Sequence, residues 1–146
     1  MAQYRTTSPE ETEALGFRLG ECLHGGEVLA LFGGLGMGKT AFTRGIAAGL
    51  GIPSDVSSPT FALVHDYTGR LTVHHFDMYR VDGWDDLYST GFFDYLDTED
   101  VLIIEWSENI ENALPENTVR VYMEKGGSDN DRIIRIDGVK DENSLC

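Results

Sequence analysis

The run Gly33-Gly34-Leu35-Gly36-Met37-Gly38-Lys39-Thr40 constrains this chain more than any other feature. It satisfies G-x-x-x-x-G-K-[ST] without a mismatch. The apolar run Val28–Phe32 leads into it, and a helical pattern from Ala41 to Leu50 leads out. That strand–loop–helix order is the setting a phosphate-binding loop requires. Successive backbone N–H groups must turn inward around an anion, which Cβ atoms obstruct, and Gly33, Gly36 and Gly38 supply the freedom. The next helix points its N-terminus and unpaired N–H groups at the phosphates. Lys39 then reaches the β- and γ-phosphates, and the Thr40 hydroxyl is a ligand for Mg²⁺. The nucleotide-contacting set runs through Gly33, Leu35, Gly36, Met37, Gly38, Lys39, Thr40 and Ala41. A dinucleotide fingerprint also fits Gly36 to Ala41. It wants an acid about 20 residues on, where only Asp55 stands, and it gives Lys39 and Thr40 no task.

With 146 residues the chain suits one domain, residues 1–146, with 139–146 as a loose tail. No apolar run approaches a membrane span, and the first residues lack the apolar centre of a signal peptide. Only Cys22 and Cys146 occur, so a structural disulfide is not expected. Together these features point to the cytoplasm. The net charge of −14 opposes direct contact with nucleic acid.

In chain order, Ser8-Pro9-Glu10-Glu11 reads as a capped helix start. Ala14, Leu15, Leu19 and Leu23 give its apolar stripe. After the loop and its helix, Thr60–Tyr67 and Leu71–Asp77 read as strands around the turn at Thr68-Gly69-Arg70. Val81–Tyr88 and Gly91–Leu96 are weakly helical in an acidic setting. Val101–Ile104 is a second continuous apolar run, suited to a strand buried on both faces. A short helix follows from Ser107 to Leu114, then strands at Thr118–Glu124 and Arg132–Asp137. The fold expected is α/β: a phosphate-loop NTPase-like three-layer sandwich, its mixed, mostly parallel sheet carrying an inserted antiparallel hairpin.

Ligands of open α/β sheets bind beyond the carboxyl ends of the strands. Glu105 stands at such an end and is a Mg²⁺ carboxylate in this reading. Asp77 closes the strand from Leu71. It is open between orienting the attacking water and simple strand-end solubility. Trp106 is open between stacking on adenine and core packing. Thr60 lies where a γ-phosphate sensor often stands, on spacing alone. Thr12 reads as a surface helix residue. His74 and His75 point to opposite strand faces, so they read as packing or hydrogen-bonding groups.

Taken together, the loop, Ser58-Pro59-Thr60-Phe61, His75-Phe76-Asp77-Met78-Tyr79-Arg80 and Ile104-Glu105-Trp106 resemble the TsaE (YjeE) family over roughly residues 8 to 137. The resemblance implies a weak, Mg²⁺-dependent ATPase needed for threonylcarbamoyladenosine (t6A) at position 37 of tRNA. It would support the TsaB–TsaD transferase and meet tRNA only through that complex. It also implies that Thr40 and Glu105 hold Mg²⁺ and that Trp106 lies against adenine. Thr60 would be switch-like, Asp77 needed for hydrolysis, and Thr12 near the nucleotide. Gly34 departs from the Asp or Asn usual in the family, and Met37 from a small residue. Arg44, Arg80 and Arg132 are arginine-finger candidates. The alternative within the same superfamily is a small-molecule kinase.

Overall fold

A computed structural model describes residues 2–34, 36–52 and 64–138. Seven strands form one sheet: β1 (Ala2–Thr6), β2 (Val28–Phe32), β3 (Val64–Thr68), β4 (Thr72–Asp77), β5 (Val101–Glu105), β6 (Val119–Lys125) and β7 (Arg132–Asp137). Their order is β1-β7-β6-β2-β5-β4-β3. The central strands β6, β2, β5 and β4 run parallel, and both edges are antiparallel, β3 on β4 and β7 on β6 and β1. Parallel pairing is therefore confined to the middle, where β2 and β5 are buried along their whole length. The continuous apolar runs of these two strands fit a sheet covered on both faces.

Helices α1 (Pro9–Glu21) and α2 (Lys39–Gly49) cover one face, burying Leu15, Leu19, Phe42 and Ile46 against Leu31, Ile103 and Val121. The short helices α3 (Trp84–Ser89) and α4 (Phe92–Leu96) and a 3-10 segment (Ser107–Ala113) cover the other, around Phe76, Phe92, Leu102 and Ile104. Three layers result, as the sequence suggests.

Strand β1 was not legible beforehand. Its five residues alternate, but Gln3 and Arg5 face outward and it gains stability only by pairing with β7. The α1 start follows the capping logic with one change. Ser8 Oγ accepts the Glu11 N–H at 3.1 Å, while the Glu11 carboxylate reaches past Ser8 to accept from Thr7 N–H and Oγ–H at 3.0 and 2.9 Å. The expected Thr60–Tyr67 strand begins at Val64 among the described residues. Leu35, residues 53–63 with Thr60, and the tail 139–146 with Cys146 lie outside them. No helix among the described residues is long and apolar enough to cross a membrane.

Candidate nucleotide site at the carboxyl ends of the strands

The parallel strands bring their carboxyl ends to one rim. β2 runs into the glycine loop there, and β4 and β5 end side by side with Asp77 paired to Glu105 in register. Thr6 pairs with Arg132, so the start of α1 and the β6–β7 turn join the same rim. Gly36 and Gly38 take φ of 77° and 98°, which confirms the need for glycine at two turns of the loop. The Phe42 N–H donates to Gly38 O at 2.9 Å, so α2 begins directly after the loop.

Lys39 is buried, and its Nζ donates to Gly33 O at 2.7 Å. It also lies 3.8 Å from the centroid of the Trp106 ring. Burial pushes its pKa below the ordinary 10.5, and Glu105, Glu108 and Asp77 oppose that shift. Three carboxylates thus act on one buried amine at the rim.

Glu105 is buried at the end of β5, and its Oε2 lies 2.7 Å from His75 Nε2 on the neighbouring strand. Asp77 Oδ1 accepts the Tyr79 N–H at 2.9 Å, which closes the turn after β4. Trp106 adopts φ 59°, ψ 43°, a left-handed conformation rare outside glycine. That bend sets its ring between Lys39 and Tyr79, whose ring centroid is 4.9 Å away. Trp106 therefore stands on the β5 side of the loop.

On the β6 side is a hollow of about 100 Å³ lined by Thr12, Gly36, Gly38, Ala41, Asn130 and Arg132. Thr12 is buried there, and its hydroxyl lies 2.7 Å from that of Thr6. Its surface reading from spacing gives way to its place on the face of α1 that meets the loop. Of the three candidate arginines, Arg132 holds the loop, donating to Met37 O at 3.2 Å and Gly36 O at 3.1 Å. Arg44 pairs loosely with Glu13 at 3.6 Å on the surface, and Arg80 is exposed.

Two contributors were missed in the sequence. Glu108 Oε2 accepts the Gly33 N–H at 3.1 Å, tying the 3-10 segment to the loop. Asn109 donates to Met78 O and Tyr79 O at 2.8 and 3.1 Å, and so anchors the turn beyond Asp77. Their positions, three and four residues after Glu105, were the available signal. The local 3-10 geometry that aims them was not legible.

Comparison with known proteins shows the family. A family model described as "Threonylcarbamoyl adenosine biosynthesis protein TsaE" matches residues 6–134. The protein named tRNA threonylcarbamoyladenosine biosynthesis protein TsaE from Bacillus subtilis is 38% identical over 128 residues, 87% of this chain and 80% of that protein. The protein of the same name from Treponema pallidum is 40% identical over 116 residues, 80% of this chain and 86% of that one. The crystal structure of Bacillus subtilis YdiB superposes with a TM-score of 0.77 at 36% identity, covering 92% of this chain and 82% of YdiB. With the family match spanning residues 6–134, and so strands β2 to β6 entire with both helices that flank the loop, the chain belongs to the TsaE family.

Proposed function

We propose that this protein binds ATP with Mg²⁺ and hydrolyses it, in support of the TsaB–TsaD transferase that makes t6A at position 37 of tRNA. The observation that carries this reading is the rim itself: the glycine loop, Lys39, and Asp77 beside Glu105 at adjoining strand ends. The relatives' names support the pathway. The donor set fits magnesium, a hard cation that takes oxygen ligands: the Thr40 hydroxyl and the Glu105 carboxylate beside the phosphates. When bound, the ion supplies charge to offset that developing on the phosphoryl oxygens.

The chain's own groups do the rest. Loop N–H groups and the α2 N-terminus hold the phosphates, and Lys39 leaves Gly33 O to meet the β- and γ-oxygens. Asp77 orients the attacking water. Thr60 senses the γ-phosphate. The nucleoside runs into the Thr12–Asn130–Arg132 hollow, so Trp106 faces the triphosphate side rather than adenine. Positioning and preorganised charge are the catalytic terms. With Arg132 engaged by loop carbonyls, turnover by the isolated protein is slow, and the partner complex stimulates it. The protein meets tRNA only through that complex, in the cytoplasm.

The test is phosphate release from ATP with and without purified TsaB–TsaD, for the wild type and Lys39→Ala. Stimulated, Lys39-dependent release is expected. Unchanged turnover in Lys39→Ala would remove the site assignment, and phosphate appearing on a metabolite would favour the small-molecule kinase.

A further inference from the structure

Residues 81–119 contain eleven Asp or Glu and neither Lys nor Arg. Helices α3 and α4 and the 3-10 segment all come from this stretch, so one whole layer of the sandwich is anionic. An acidic layer alone has an ordinary explanation in solubility. The aromatic residues do not. Trp84 and Tyr88 are 53% and 65% exposed. Both lean on Phe93, Trp84 nearly parallel to it at 6.2 Å and Tyr88 at 4.9 Å. The three rings brace one another, so the exposed faces are held rigid and would lose little freedom on being covered.

Beside them, between α3 and the 3-10 segment, is a groove of about 280 Å³. Trp84 and Leu87 line it from α3, and Glu108, Asn109, Glu111 and Asn112 line it from the 3-10 segment, so the indole and the two carboxylates belong to facing elements. Among the described residues neither Glu108 nor Glu111 is in ion-pair contact, although Glu108 accepts the Gly33 N–H and acts on Lys39 through space. An anion is repelled here, and an aliphatic side chain would strip water from two carboxylates without return. A guanidinium satisfies both walls: its plane stacks on the indole while its N–H fork meets carboxylate oxygens. A lysine ammonium has no planar face to stack and is more strongly hydrated.

We propose that this groove docks an arginine-bearing segment of a protein partner, with the guanidinium held between Trp84 and the Glu108–Glu111 wall. Glu108 is the same carboxylate that accepts the Gly33 N–H, and Asn109 holds the turn after Asp77. An arginine that draws on Glu108 competes with the phosphate loop for it. Docking and nucleotide binding are thereby coupled, and the coupling is reciprocal. The chemistry of the groove stands by itself; only the partner's identity as TsaB–TsaD rests on the function proposed above.

The test has two arms. In the first, fluorescence anisotropy follows a labelled peptide of alternating arginine and serine, and its lysine twin. The wild type should bind the arginine peptide about tenfold more tightly than the lysine one, and Trp84→Ala or Glu111→Lys should weaken it about tenfold. Glu10→Lys, the same charge change on exposed α1, should leave it within about twofold. Thermal melts confirm that each variant is folded. In the second, the same variants are titrated with purified TsaB–TsaD, and the same ranking is expected. Equal affinity for the two peptides, or patch variants that bind peptide or complex like the wild type, overturns the docking site. If the complex does not bind the wild type at all, the partner reading falls, and the peptide arm alone decides the groove.

Discussion

His75 Nε2 lies 2.7 Å from Glu105 Oε2, with both side chains shut away from solvent between β4 and β5. Glu105 is acceptor-only when ionised, so the ring nitrogen donates. The other ring nitrogen, Nδ1, is buried and unpartnered. A hydrogen bond of this kind fixes which way a metal-binding carboxylate points. His75→Ala is therefore expected to weaken Mg²⁺-dependent nucleotide binding by about 10- to 100-fold. His75→Gln, which keeps a donor, should recover part of it. Titrating Mg²⁺ against nucleotide binding by calorimetry separates this from a fall in kcat. An unchanged Mg²⁺ affinity in His75→Ala would show that Glu105 is oriented by other groups.

The contact between Lys39 Nζ and the Trp106 ring, at 3.8 Å, gives a second prediction. If ATP occupies the loop as proposed, its γ-phosphate should draw the ammonium off the indole, and ADP should do so less. In a Trp84→Phe background Trp106 is the one tryptophan left. Its fluorescence should change more with a non-hydrolysable ATP analogue than with ADP. Equal responses would instead indicate adenine stacked on Trp106.

The phosphate loop, the buried runs at β2 and β5, and the acids ending β4 and β5 were legible because each depends on local pattern. Strand ends in a parallel sheet converge wherever the chain places them, so Asp77 and Glu105 became neighbours without a long-range contact being read. Other features depend on contacts distant in sequence. β1 exists by virtue of β7, 126 residues separate Arg5 from the Asp131 it pairs with, and Thr12 reaches the loop only because α1 lies tightly on α2. The positive φ of Trp106 is likewise imposed by its surroundings, since nothing in an indole favours it.

The Arg5–Asp131 pair, 2.6 Å apart, ties β1 to the β6–β7 turn beside Arg132. The Arg5 guanidinium, then Ser128, hold the Asp131 carboxyl below its ordinary 3.8. As pH falls, the unfolded chain takes up this proton before the native one does. The stabilisation is present above 3.8 and is lost as pH drops through the lower native value. Asp131→Asn should accordingly lower the urea midpoint near neutrality, and the gap from wild type should close in acid below 3.8. A gap that persists undiminished there would assign the effect to packing.

Helices α1 and α2 meet through glycines on both sides. A Cβ at Gly16 or Gly20 would overlap the Phe42 or Ile46 carbonyl oxygen, and one at Gly45 or Gly49 the Glu13 or Phe17 carbonyl oxygen. In an exposed helix Gly→Ala gains up to about 1 kcal/mol. Here the obstacle is backbone, which cannot swing aside, and overpacking costs about 1–3 kcal/mol. The clash wins, so Gly45→Ala should destabilise by roughly 1–2 kcal/mol in urea unfolding. Gly127→Ala, whose nearest neighbour would be Asp131 Oδ2 at 3.8 Å, serves as a tolerated control. Because α2 starts at Lys39 and α1 carries Thr12, pushing the helices apart also opens the hollow between them. ATP affinity should fall in folded Gly45→Ala protein, measured well below its unfolding midpoint. A stabilised Gly45→Ala with unchanged ATP affinity would contradict both the packing and its role in shaping the site.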